Sequence, residues 1–248
     1  MRTILLTAAL LLSGTTGVRA AETNVAVAAN FTEPAKEIVK AFETKTGHKA
    51  LLSFGSTGQF YNQIKQDAPF TVFLAADDTT PAKAVAEGLA VPESRFTYAV
   101  GRLVLWSKDP AKVTDEGTLK RAAFEKIALA NPALAPYGAA AVQAMTRMGV
   151  YEALKPKIVQ GNNIAQTYQF VETGNAEVGF VALSQVIVKG EGSRWPVPET
   201  LHDPIRQDAV LLKKGEADEA AKAFVAFLKG PESAAVIARY GYGTAAMN

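Results

Sequence analysis

Short β-like stretches alternate with amphipathic helical ones along most of this chain, and that alternation limits the fold more than any other feature. "NVAVAA" (Asn24–Ala29) reads as a strand. In the helix-like stretch after it, Ala35, Ile38, Val39 and Phe42 fall at i, i+3, i+4 and i+7 on one apolar face. Thr32 is a reasonable N-cap, Pro34 suits a first turn and Gly47 is a stop signal. The unit recurs as "KALLSF" then "QFYNQIKQ", and as "FTVFLAA" then "TPAKAVAEG". It continues as "KIALAN" then "APYGAAAVQAMTRMG", and "KIVQG" then "NNIAQTYQFVETG". "AEVGFVA" is a further strand, and two helices close the chain. Such alternation predicts an α/β fold with mostly parallel sheets flanked by helices.

Two β-rich runs stand outside the repeat. "FTYAVGRLVLWSK" (Phe96–Lys108) is long enough to leave one sheet and enter another, and "DAVLLKK" (Asp208–Lys214) is a second candidate for such a crossing. They bracket a middle block. The expected organisation is two lobes: residues 21–99 with 208–248 form the first, and residues 100–207 are inserted as the second. A chain of 248 residues has the length for this.

The N-terminus reads as a processing segment. Arg2, an apolar run from Ile4 to Leu12 and a small-residue end at Val18-Arg19-Ala20 match a secretory signal peptide over residues 1–20. The apolar run is too short for a spanning helix. The whole chain has 26 basic and 24 acidic residues. Removing residues 1–20 takes away Arg2 and Arg19 and no acid, which leaves 24 of each. A near-neutral chain without a long basic block is a poor partner for nucleic acid. There is no cysteine, which excludes a thiol nucleophile, a zinc–thiolate site and an iron–sulfur cluster. The two histidines, His48 and His202, do not form a metal-ligand pattern.

In open α/β sheets ligands bind at the carboxyl ends of strands, beside helix N-termini. Four strand-to-helix loops share one character: "AANFTEP" (Ala28–Pro34), "FGSTGQ" (Phe54–Gln59), "PALAPYGAA" (Pro132–Ala140) and "QGNNIAQ" (Gln160–Gln166). Each offers free backbone N–H groups at the positive end of a helix, and none carries Lys or Arg. Together they predict a neutral donor shell around an anion. A shell of donors alone suits a fully deprotonated oxyanion. A protonated one needs an acceptor, for which Asp77 and Asp78 are the nearby candidates. Taken singly, each loop also has an ordinary reading: Asn30, Thr32 and Asn163 as helix caps, Ser56–Thr57–Gly58 as a turn, Tyr137 as core packing.

In order and spacing these stretches resemble the periplasmic molybdate-binding proteins, the solute receptors of molybdate ABC importers. The similarity runs through "VAVAANFTEPAKEIVKAFETKTG", "LLSFGSTGQFYNQI", "FTVFLAADDTTPAKAVAEG", "IALANPALAPYGAAAVQAM", "LKPKIVQGNNIAQTYQFVETGNAEVGFVA" and "FVAFLKGPESAAVIARYGYG". It implies a two-lobed periplasmic binding protein fold of type II, with two hinge crossings and the anion in the cleft. It also implies that Asn30, Thr57 with Ser56 beside it, Tyr137 and the Ile164 backbone N–H contact the oxygens of the ion rather than its metal atom. Many members place a contacting tyrosine after a "GIV"-like strand. Here that position is Ala182, and "PYG" supplies Tyr137 instead, as in another subgroup. The function so implied is binding of molybdate, and also tungstate, by a periplasmic monomer that delivers it to a membrane permease, with no catalysis and no cofactor. Two other readings stay open from the residues: a receptor of the same fold for sulfate, phosphate or a small organic acid, and a hydrolase using Ser53 or Ser56, for which neither histidine lies in a candidate loop.

Overall fold

A computed structural model of the chain describes residues 20–243; the expected signal peptide, apart from Ala20, lies outside them. Ten strands form two five-stranded sheets. The first contains β1 (Glu22–Ala28), β2 (Lys49–Gly55), β3 (Val72–Leu74), β4 (Phe96–Gly101) and β10 (Ile205–Leu211), in the order β2-β1-β3-β10-β4. The second contains β5 (Leu103–Ser107), β6 (Ile127–Ala130), β7 (Ile158–Gly161), β8 (Val178–Ala182) and β9 (Ser193–Pro196), in the order β7-β6-β8-β5-β9. Helices cover both. They are α1 (Thr32–Thr46), α2 (Thr57–Lys65), α3 (Thr79–Ala86), α4 (Gly117–Arg121) and α5 (Pro136–Arg147), then α6 (Tyr151–Leu154), α7 (Ile164–Glu172), α8 (Leu183–Val186), α9 (Glu219–Leu228) and α10 (Pro231–Arg239).

The two sheets follow one plan. In the first, β1 pairs parallel with β2 and β3, while β10 pairs antiparallel with β3 and β4. In the second, β6 pairs parallel with β7 and β8, while β5 pairs antiparallel with β8 and β9. Each sheet is therefore mixed, with a parallel part built from strand–helix repeats and an antiparallel part at the crossings. The run from Phe96 to Ser107 divides at Arg102, between β4 in one sheet and β5 in the other. The return path lies upstream of β10, between Pro196 and Ile205. The segment from Asp208 onward, read from sequence as the crossing, pairs inside the first sheet.

Local signals explain the boundaries. Val25, Ala26, Val27 and Ala28 are all buried, because β1 is central and covered on both faces. Gly47 ends α1 in the left-handed region, with φ 73°, and its N–H bonds Glu43 O at 3.0 Å. Thr32 is not the N-cap. Phe31 occupies that place, and the Thr32 hydroxyl donates back to Ala29 O at 2.8 Å. One core packs α1 and α9 on the first sheet through Phe31, Ile38, Phe42, Phe224 and Leu228. Phe42 meets Phe224 edge-on at 5.3 Å between ring centroids. The core of the second sheet, around Leu105, Ile127, Met145 and Phe180, reaches across to Ala28, Ala29 and Ala76 at the strand ends of the first. That continuity brings the four loops face to face.

Candidate functional site

The loops converge on one small cavity. Ala28, Ala29, Asn30, Gly55, Ser56, Thr57 and Ala76 line it from the first sheet's side, and Ala135, Pro136, Tyr137, Asn163 and Ile164 from the other. Its space is about 200 Å3 including the opening to solvent. No lining residue carries a charge. All five residues singled out from sequence lie here, and each is at most 3% exposed.

The hydroxyls share one arrangement. Ser56 caps α2: its Oγ accepts from Gln59 N–H at 3.4 Å, and the Gln59 side chain accepts from Ser56 N–H at 3.3 Å. Thr57 Oγ1 accepts from Ala76 N–H at 2.9 Å. Tyr137 Oη accepts from Gln207 Nε2 at 3.0 Å. Each hydroxyl thus faces the protein as an acceptor. Among the described residues, no protein acceptor takes the proton of any of the three. A hydroxyl has one proton and two lone pairs, so each keeps its donor for the cavity. Burial raises the Tyr137 phenol well above the usual tyrosine range, so it stays protonated and able to donate.

Backbone donors add to them. Thr57 and Ile164 are the first residues of α2 and α7, and a first-turn N–H has no partner within its helix. Asn163 caps α7, its Oδ1 accepting from Gln166 N–H at 3.0 Å. Its cap role and its place in the cavity wall are therefore both realised. Gly58 permits a close approach: a Cβ there would lie 3.1 Å from Leu134 Cα, and its N–H donates to Leu134 O at 2.9 Å across the two halves.

Asn30 has its side-chain amide engaged within the protein. Its Nδ2 donates to Gln207 Oε1 at 2.9 Å and to Tyr242 Oη at 3.0 Å. Both amide protons are used within the protein, so Asn30 lines the cavity with its side-chain donors already committed. Its carbonyl accepts from Ser184 Oγ and Tyr242 Oη, both at 2.8 Å. Ala182 is fully buried and supplies no side-chain donor. Asp77 is turned away. Its carboxylate holds the start of α3, accepting from Thr80 N–H at 2.6 Å and Thr80 Oγ1 at 3.0 Å. Asp77 and Asp78 line an adjoining cleft with Asp203 rather than the cavity. His48 and His202 are elsewhere: His48 Nδ1 accepts from Ala21 N–H at 3.2 Å, and His202 Nδ1 lies 2.8 Å from Asp203 O. Among the described residues, none that could act as a base is bonded to Ser56.

Sequence reasoning missed Gln207, Tyr98, Tyr242 and Ser184, which stand behind the cavity wall. Tyr98 Oη lies 3.0 Å from both Ala75 O and Gln207 Oε1. Tyr242 arrives because Gly243 pairs with Val100 beside β4.

Comparison with known proteins agrees with this architecture. Residues 23–243 match the family model described as bacterial extracellular solute-binding protein. The chain belongs to that family. It is 60% identical to the molybdate-binding protein ModA of Rhodobacter capsulatus over 225 residues, 91% of this chain and 89% of that protein. It is 59% identical to ModA of Azotobacter vinelandii over 229 residues, 91% of each. Among solved structures, the A. vinelandii periplasmic molybdate-binding protein superposes with a TM-score of 0.87 at 38% identity, covering 90% of this chain and 99% of that one. The fold of this solute-binding protein is accordingly the two-lobed one of its family.

Proposed function

We propose that this solute-binding protein takes up a fully deprotonated tetrahedral oxyanion, molybdate and also tungstate, between its lobes and delivers it to a membrane ABC importer. The observation that carries the reading is the direction of the hydroxyls. Ser56, Thr57 and Tyr137 are each held from behind by a protein donor and aim a spare proton at a cavity without charged side chains. Buried donors with nothing to receive them are costly; an anion with acceptors on every side satisfies all of them. The names of the relatives at about 60% identity point to molybdate.

In this reading Asn30, Ser56 and Thr57 act from the lobe of residues 21–99 and 208–248, with its second boundary moved back to between Pro196 and Ile205. Tyr137 and the Ile164 N–H act from the inserted lobe. The ion favours the closed form because each lobe supplies part of its shell. The Thr57 hydroxyl and N–H are both placed to serve, with the Ser56 hydroxyl beside them. The protein is a periplasmic monomeric receptor rather than an enzyme, and it needs no cofactor. Hydrogen phosphate fits less well, because its proton requires an acceptor and the nearest carboxylate, Asp77, is committed to α3. The hydrolase reading lacks a base within reach of Ser56.

Calorimetry on the purified chain lacking residues 1–20 tests the proposal. Molybdate is expected to bind in a one-to-one complex that sulfate and phosphate displace poorly. Absence of binding at micromolar molybdate would overturn it.

A further inference from the structure

We propose that Gln207 is the positioning residue of this site: its amide fixes which way the Tyr137 proton points and ties Asn30 to Tyr137 across the lobes. This rests on the oxyanion-binding reading above and deepens it.

The residue sits on β10 at a register shift between Gln207 and Asp208, a bulge that turns one side chain out of the regular alternation. It is fully buried. Its Oε1 receives Asn30 Nδ2 at 2.9 Å and lies 3.0 Å from Tyr98 Oη. Its Nε2 donates to Tyr137 Oη at 3.0 Å. Space for this contact comes from Gly101 at the first crossing, where a Cβ would run into Tyr137 Oη and lie 2.6 Å from Gln207 Nε2. A primary amide carries strong donors and a strong acceptor on adjacent atoms. Here each end is used in the sense that sends a proton toward the cavity. Asn30 donates to the amide oxygen, and the amide nitrogen donates to the phenol. The phenol oxygen, already accepting, has its own O–H left for the ion. In a low-dielectric setting such a chain polarises its members in one direction. Among the described residues no Lys or Arg hydrogen-bonds Gln207, so this relay supplies electrostatic attraction in place of a cation.

Glutamate has nearly the same shape and the opposite hydrogen bonding. When ionised it only accepts, so it would draw the Tyr137 proton away from the ion and set a negative charge behind it. When protonated it regains one O–H donor. Burial raises a carboxyl pKa, which puts that change in an accessible range. The phenols Tyr98 and Tyr137 bond the Gln207 amide and Tyr242 stands beyond Asn30, all three raised by burial and hence neutral; Asp77, whose carboxyl burial also raises, packs beside β10 and is engaged by Thr80. The neighbouring Asp208 is engaged by Arg95 at 2.9 Å and Thr97 Oγ1 at 2.6 Å.

The test measures molybdate affinity by calorimetry from pH 8 to pH 5.5, each variant relative to wild type at the same pH. Gln207→Glu is expected to bind about 100-fold more weakly at pH 8 and to recover at least about tenfold by pH 5.5, whereas Gln207→Met loses about tenfold at every pH. Equal, pH-independent losses in the two variants would overturn the proposal. If the glutamate variant does not fold, a double-mutant cycle decides. With Tyr137→Phe as background, Gln207→Met should change affinity by less than about threefold, because its partner is gone. Fully additive losses would overturn the role. Failure of the wild type to bind molybdate sinks the functional reading itself; wild-type binding with additive losses sinks only the assignment of Gln207.

Discussion

Removing one oxygen atom, by Tyr137→Phe, puts the donor shell to its most direct test. The phenol is 2% exposed and lies where α5 begins, held by Gln207 Nε2 at 3.0 Å. The ring keeps its packing in the phenylalanine variant, so the change isolates the hydroxyl. Two consequences follow from that geometry. Toward the ion, a hydrogen bond to a charged group is lost, worth about 1.5–3 kcal/mol. At about 1.4 kcal/mol per decade, this is a fall in affinity of roughly 10- to 150-fold. Toward the protein, Gln207 Nε2 is left buried with one proton unmatched, which costs about 1–3 kcal/mol in the ligand-free protein as well. Calorimetry reads the first, and thermal melting without ligand reads the second. The variant should therefore lose both affinity and melting temperature, and the molybdate-induced rise in melting temperature should shrink. An affinity within threefold of wild type would remove the Tyr137 hydroxyl from the shell. A full loss of affinity with an unchanged ligand-free melting temperature would refute the claim that Gln207 Nε2 depends on it.

Three further outcomes are expected. Thr57→Val keeps the shape but removes both the acceptor for Ala76 N–H and a donor to the ion, so affinity should fall at least about tenfold; a smaller change would assign the second-loop hydroxyl to Ser56. Gly101→Ala should lower affinity and melting temperature together, since the added methyl overlaps the Tyr137–Gln207 contact; a fully stable variant with native affinity would show that the contact can move at no cost. Asp77 has its pKa raised, chiefly by burial and against the hydrogen bonds from Thr80. A carboxyl raised on folding binds more protons in the native state, so its contribution falls as pH rises from the unfolded to the folded pKa. Asp77→Asn should therefore gain more stability relative to wild type at pH 7 than at pH 4, read by denaturant melts; the reverse order would show that its hydrogen bonds to Thr80 outweigh its burial.

The strand–helix repeat was legible because it is local. Apolar spacing marked α1, and the four loops followed from where strands hand over to helices. Ser193–Pro196 (β9) was not legible: four residues with a proline and an arginine carry no periodicity. The position of the second crossing was missed for a related reason. "DAVLLKK" looks like a β run from Asp208, but the strand starts three residues earlier, and Ile205-Arg206-Gln207 alternates too weakly to show it. The polar network was hidden for a different reason. Gln207 is 177 positions from Asn30 and 70 from Tyr137 in sequence, and Tyr242 is 212 from Asn30. No window reading joins residues so far apart. A glutamine with no exposure in a strand, and the tyrosine of the "GYG" at 241–243, become informative only once pairing partners are known. Asn30 illustrates the limit: its loop was legible, but what its polar atoms are bonded to depends on partners from three distant segments.

Those hidden partners also bear on selectivity. A shell of free hydroxyls on mobile loops would contract around a smaller ion and bind it nearly as well. Here each hydroxyl is fixed on its far side, Ser56 by a capping box, Thr57 by the backbone at the end of β3, and Tyr137 by a buried amide. The two halves are tied to each other by Gly58 N–H to Leu134 O and by Ser184 Oγ to Asn30 O. Following a smaller oxyanion inward would stretch several of these bonds at once, each worth about 0.5–1.5 kcal/mol. A few tenths of an ångström of ion radius, shared over the shell, thus translates into orders of magnitude in affinity. Loosening the rear anchors should therefore erode discrimination faster than it erodes affinity. Ser184→Ala, which removes a tie between the halves and touches none of the three cavity hydroxyls, is the variant in which to look for it. Its ratio of molybdate to sulfate affinity should drop more than its molybdate affinity does. A ratio held at the wild-type value would place selectivity in the donors alone rather than in the stiffness behind them.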